Sequence, residues 1–189
     1  MQDSEERIYH CPVLETERLT LRRPGAADAG AIVRIVGDWD VARRLARIPH
    51  PYSNTDALWF LDNIVPGEWV WAITWRESAE VVGMVGLTPH DRDAAELGYY
   101  VDRRHWGHGI ATEAARAVVG YGFRGLGLRF LTSGYFLDNP VSGGVLTKLG
   151  FVEVARGERP CLAAGALVPC VEMRLGPGEI SAAAEVPAR

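Results

Sequence analysis

Lysine is almost missing from this 189-residue chain: Lys148 is the only one among its 20 basic residues. Any anionic ligand must therefore be held by arginines, backbone amides or helix ends. Cysteine is scarce too. Cys11, Cys161 and Cys170 are odd in number and show no CxxC spacing, which excludes a disulfide framework and gives no zinc signature. No stretch approaches the roughly 20 consecutive apolar residues of a membrane span, and residues 1–11 lack the apolar core of a secretory signal. The net charge of −4 carries no whole-chain electrostatic footprint for duplex nucleic acid. The expected location is a reducing cytoplasm, with no membrane and no nucleic acid as partner.

What is present is an ordinary globular balance, 48% hydrophobic and 23% charged, in a length that suits one domain with a sizeable core. Residues 13–175 read as one continuous alternation of strands and helices, preceded by an extension (1–12) and followed by a small, polar, proline-containing tail (176–189). Residues 18–22 alternate as a strand, residues 26–36 carry apolar positions at helical spacing, and a second helix is expected over 39–45. Ser53 and Asp56 form a capping-box pattern ahead of a helix over 57–64. The period then changes. Residues 69–75, 81–87 and 96–101, rich in aromatic and branched side chains and separated by turn-like 77–80 and 89–93, predict an antiparallel meander. A helix over 109–123, a strand over 128–135, a helix over 140–149 and strands near 151–155 and 168–175 complete a mixed α/β pattern. The tryptophans at 39, 59, 69, 71 and 75 suit either a core or an acceptor pocket.

The segment that carries chemistry runs from Glu96 to Ala114. A strand enters a loop with Arg104, Gly107 and Gly109 at R-x-x-G-x-G spacing, and the loop enters an amphipathic helix. That arrangement aims backbone N–H groups and the positive end of a helix dipole at one point, where an anion is favoured. Glycine matters there because a side chain would hold a diphosphate away from the amides. No Gly-Lys-Ser/Thr follows, so this is not the nucleotide P-loop, and Thr112 stands where a dinucleotide fingerprint needs its third glycine. A tight strand-to-helix connection with ordinary capping has the same spacing. His105 and His108 lie three apart without a third ligand, so no metal is expected. A second element follows one strand later: Asn139 at a helix-cap position, Pro140 at the first helical position, and Gly150 at the C-terminus of the helix.

With the signatures W-G-x-G-I-A-T-E-A (from Trp106) and D-N-P-x-S-x-x-V-L-x-K-L-G-F (from Asp138), the chain resembles the GNAT acetyltransferase superfamily over about residues 14–175. The likeness is to the branch that includes ribosomal-protein serine and alanine N-acetyltransferases. The resemblance implies a mixed, mostly antiparallel α/β sheet splayed between its fourth and fifth strands, with the pantetheine arm of acetyl-CoA in the gap. Backbone groups of Tyr99, Tyr100 and Val101 would then bond the pantetheine amides. Amides of Arg104, His105, Trp106, Gly107, His108, Gly109 and Ile110 would hold the pyrophosphate, with Ala111 and Thr112 at the start of the helix beside it. Arg103 or Arg116 would meet the 3′-phosphate, or else remain solvated.

The same resemblance makes Glu96 the base that deprotonates the amine, directly or through water; a strand glutamate on a wet face reads the same way. Asn139 would reach the pantetheine arm, cap the helix, or do both. Leu146 stands where many relatives carry an acidic tyrosine, so Ser142 becomes the residue implied at the sulfur, unless it is an ordinary first-turn polar residue. Gly143 and Gly144 follow it, and two interior glycines cost a helix about 1 kcal/mol each, which predicts a looser sulfur end. Glu158 is read as a residue of the loop before the last strand, able to meet an ammonium group or simply a surface charge. The implied activity is acetyl-CoA-dependent transfer to a primary amine, either a protein or peptide N-terminus or a small molecule such as an aminoglycoside, polyamine or amino acid. A non-catalytic acyl-CoA sensor is the third reading. Monomer and homodimer are both open.

Overall fold

The computed structural model describes residues 9–177. Eight strands form one sheet in the order β1-β2-β3-β4-β5-β6-β8-β7, where β1 is Leu14–Glu15, β2 Leu19–Arg22, β3 Trp69–Trp75, β4 Val81–Pro89, β5 Ala94–Val101, β6 Phe130–Phe136, β7 Val152–Cys161 and β8 Ala166–Leu175. Every neighbouring pair is antiparallel except β5 with β6. Helices α1 (Ala29–Val36), α2 (Trp39–Ala42) and α3 (Asn54–Asn63) fall between β2 and β3. Helix α4 (Ile110–Arg124) joins β5 to β6, and α5 (Pro140–Leu149) joins β6 to β7.

The two faces of the sheet are covered separately. Alternation along β3 sends Trp71 and Ile73 into one cluster with Ala114 and Val118 of α4 and Leu146 and Leu149 of α5. Val70 and Ala72 enter a second cluster with Ile32 and Ile35 of α1 and Ala57 and Leu61 of α3. The meander and both late helices are as expected, and the Ser53–Asp56 capping box is formed in both directions.

Several expectations are corrected. The apolar periodicity over 26–36 splits into a 3₁₀ turn, Ala26–Asp28, and α1, because the Asp28 carboxylate bonds the Gly25 amide (2.9 Å) and the Arg22 guanidinium (2.7 and 2.8 Å). Helix α2 stops at Ala42. The short strand and loop expected after Phe151 are a single long edge strand, so Glu158 is paired with Pro169 rather than lying in a loop. Pro160 and Gly157 gave that segment a loop-like composition, but proline is tolerated where an edge strand needs no amide donor. Of the segment read as an N-terminal extension, residues 9–12 pack on the body: Tyr9 stands edge-on to Trp69 at 4.6 Å, and the Pro12 carbonyl accepts the Trp71 indole N–H at 2.7 Å. Residues 1–8 and 178–189, including nearly all of the expected tail, lie outside the described residues. Trp71 is fully buried, whereas Trp39 and Trp59 are about half exposed.

Candidate active site

The gap between β5 and β6 is built by a short register. Only Ala94, Ala95 and Glu96 pair with β6, opposite Phe130, Leu131 and Thr132. One further link is supplied by a side chain: buried Ser133 donates its hydroxyl to the Leu97 carbonyl at 2.8 Å. Beyond it β5 stays with β4 up to Val101, and β6 follows β8 up to Phe136. Because Asp102 N donates to Val82 in β4 (2.8 Å), alternation turns the backbone groups of Val101 and Tyr99 toward the gap. The Val101 carbonyl is taken by the Trp106 indole at 2.8 Å. The amide and carbonyl of Tyr99 and the Val101 amide remain unpaired among the described hydrogen bonds. Tyr100 differs from the expectation, because its backbone faces Met84 of β4 and its ring packs into the cluster beneath α1 and α3.

At the end of β5 the chain turns sharply. Asp102, 5% exposed, caps the 3₁₀ turn Arg103–His105 by accepting the Arg104 amide at 2.9 Å. The amides of His105 and Trp106 donate to Asp102 and Arg103 carbonyls at 2.9 and 3.2 Å. Those three amides are spent inside the turn, so the unpaired donors run from 107 to 112, ending at the first three amides of α4. Gly107 (φ 81°) and Gly109 (φ 77°) hold this run in the left-handed region that a side chain disfavours. Burial alone would raise the Asp102 carboxyl, but its bonds to Arg104 and the nearby charges of Arg104 and Arg34 hold it down at about 2.

The start of α4 is tied to the β1–β2 edge of the sheet. Glu113 in the first turn of α4 accepts the Thr16 hydroxyl (2.6 Å), the Arg18 amide (2.9 Å) and the Arg18 guanidinium (2.8 Å), while Arg18 Nη2 also donates to the His108 carbonyl at 3.0 Å. Sequence reading missed Arg18 and Glu113 as a pair, since 95 residues separate them. Arg103 is engaged by Asp38 at 2.9 Å, and Arg104 by Asp102 (2.8 Å) and Glu80 (3.2 Å). The Arg44 guanidinium lies 4.7 Å from the centre of the Trp106 ring. His105 stands edge-on to Trp75, and His108 Nδ1 is 2.9 Å from the Trp106 carbonyl. Among the described residues no three His, Cys, Asp or Glu side chains gather as a metal set.

The gap separates two chemical environments. Ala95, Leu97, Tyr99 and Val101 face α4 and α5, so Glu96 and Gly98 share the opposite face with Tyr100. On the helical side Tyr99 Oη lies 2.8 Å from Ser142 Oγ and 3.2 Å from the Ser142 carbonyl. Burial pushes this phenol up to about 12, partly opposed by the Ser142 bond, so it stays protonated at neutral pH. Asn139 holds the N-cap position of α5 without a side-chain capping bond, leaving its amide group uncommitted to the helix. Leu146 is fully buried. The sulfur end is not loose at Gly143, because a Cβ there would stand 2.6 Å from the Tyr135 ring, whereas Gly144 faces open space.

On the other face Glu96 is ion-paired with Arg159, and its second oxygen is 3.8 Å from His90 Nε2, which in turn lies 3.1 Å from Thr132 Oγ1. Two residues past the last backbone rung, Gly98 and Gly134 present no side chains on this face, so the widening gap is flanked by bare backbone. Neither glycine nor Arg159 was singled out from the sequence.

A family model described as an acetyltransferase (GNAT) domain matches residues 18–152. The chain is 34% identical over 149 residues, 74% of its own length and 82% of the relative's, to a Bacillus subtilis protein named uncharacterized N-acetyltransferase YoaA. Ribosomal-protein-S5-alanine acetyltransferase from Vibrio fischeri superposes with a TM-score of 0.76 at 18% identity, covering 90% of this chain and 99% of that one. Spermidine N-acetyltransferase from Vibrio cholerae, solved with CoA and spermine, also gives 0.76 at 18% identity, covering 87% and 98%. The chain belongs to the GNAT acetyltransferase family and is an N-acetyltransferase.

Proposed function

We propose that this chain transfers an acetyl group from acetyl-CoA to a primary amine, a protein or peptide N-terminal amine in the first instance, by direct attack on the thioester. The observation that carries the proposal is a path of unpaired main-chain groups in two stretches, one in the β5–β6 gap and one at the start of α4. The donors of residues 107–112 suit a diphosphate, and the Tyr99 and Val101 groups in the gap suit the pantetheine amides. The path ends where Glu96 and Ser142 flank it from opposite faces. In this reading Glu96 accepts a proton from the amine, the new C–N bond forms as the C–S bond breaks, and the departing thiolate takes a proton on the Ser142 side. The Tyr99 hydroxyl, 2.8 Å from Ser142 Oγ, supports the last step when its proton points to that oxygen, since the serine proton is then available for sulfur and the tyrosine proton can replace it.

A small cationic acceptor is the second reading, favoured by the acidic residues Glu96 and Glu172 beside the gap. Intact-mass screening of peptides and amines with acetyl-CoA decides between the two by naming the acetylated species. Replacing Glu96 with glutamine is expected to lower kcat by about 10²–10⁴ with coenzyme A affinity unchanged. Undiminished turnover would remove Glu96 from the chemistry, and no affinity for coenzyme A in calorimetry would remove the cradle.

A further inference from the structure

Arg159 reaches from β7, at the edge of the sheet, across two strands to Glu96. Its Nη1 bonds Glu96 Oε1, and its Nη2 stands 3.8 Å from Glu172 Oε1. Glu172 is in register with Gly134 of β6, and the Arg159 Cζ lies 3.6 Å from where a Gly134 Cβ would be. The guanidinium therefore lies over bare backbone beside the gap, and a larger residue at 134 would crowd it. The separation from Glu172 is about 1 Å longer than a charge-assisted hydrogen bond, so a small side-chain movement exchanges one carboxylate for the other.

The remaining charges facing Glu96 do not compete for this role. His90 Nε2, 3.8 Å from Glu96, is engaged by Thr132 Oγ1 at 3.1 Å, and Arg47 is held by Glu68 at 2.8 Å and by Thr88 at 3.1 Å. Two carboxylates share one guanidinium, which leaves one negative charge uncompensated at the place where an amine must arrive.

We infer that Arg159 is a specificity-determining residue: it rests on Glu96 as a resident cation and moves onto Glu172 when a single acceptor ammonium takes its place. The inference rests on the proposed role of Glu96 in facing the acceptor. It selects for acceptors that arrive as primary ammonium groups, and it makes Glu172 the receiver of the displaced arginine.

The test uses the full chain and n-butylammonium chloride as the probe, followed by the side-chain Nε–Hε NMR signal of Arg159, assigned with Arg159→Lys. The signal is expected to move saturably with probe and not with sodium chloride at equal ionic strength. In Glu172→Gln the midpoint is expected to rise about threefold to fivefold, the range of a partly exposed ion pair. A signal that does not move, or an unchanged midpoint in Glu172→Gln with native circular dichroism, would overturn the inference. Acetylation of the same amine, measured separately by mass, reports on the parent reading. An Arg159 response without acetylation would remove this amine as an acceptor and leave the exchange standing.

Discussion

Replacing Asp102 with asparagine isolates the charge that holds the cradle. Asparagine caps a helical turn about as well as aspartate, so the bond to the Arg104 amide is retained while the ion pairs to Arg34 and Arg104 are lost. The folded carboxyl titrates at about 2, below the usual aspartate value near 3.9. A depressed folded value contributes stability that is present above about pH 4 and is lost as the pH falls toward 2. Linkage alone gives about 2.5 kcal/mol. Arg34 and Arg104 are 40% and 57% exposed, and solvent screening reduces this to about 1–2 kcal/mol. For a domain of this size the melting temperature should fall by roughly 2–8 °C at pH 7, and the difference from wild type should close near pH 2. Thermal melts followed by circular dichroism across that range read it directly. Calorimetry with coenzyme A at pH 7 should show a weaker Kd, because the turn positions the amides of residues 107–112. A deficit of equal size at pH 7 and pH 2 would refute the charge argument. A lower melting temperature with unchanged coenzyme A affinity would refute the link between the turn and the cradle.

Gly109→Ala forces a side chain into φ 77°, and should lower stability by about 1–2 kcal/mol while weakening coenzyme A binding more than it weakens folding. Urea melts and calorimetry on one sample separate the two effects. Adjacent glycines in α5 should respond in opposite directions. Gly143→Ala drives a methyl into the Tyr135 ring and should cost about 1–3 kcal/mol. Gly144→Ala enters open space and should gain up to about 1 kcal/mol from helix propensity. Similar melting temperatures for the two variants would contradict the packing described at the sulfur end.

The parts of this protein legible in the sequence are those whose cause lies within a turn or two of chain. The aromatic run of β3 and the proline-to-glycine frame of α5 declare their own limits, and the Ser53–Asp56 box closes over three residues. The glycine spacing after β5 marked a tight turn into a helix for the same local reason. Even there tertiary detail moved the boundary, since Asp102 spends the Arg104 amide and leaves the donors to begin at Gly107. Composition misled at β7, where Gly157 and Pro160 sit in an edge strand that β8 stabilises from one side.

The pairs that shape the candidate site join distant residues: Glu96 to Arg159 across 63 positions, Tyr99 to Ser142 across 43, Arg18 to Glu113 across 95. No periodicity encodes such partners. They follow from sheet order, from the register that ends β5–β6 pairing at Glu96 and Thr132, and from the alternation that sends neighbouring residues to opposite faces. Sequence alone determined most of the elements, because hydrophobic period and capping act locally. Only the folded sheet decided which charges meet across the gap, because that depends on strands distant in sequence being brought together.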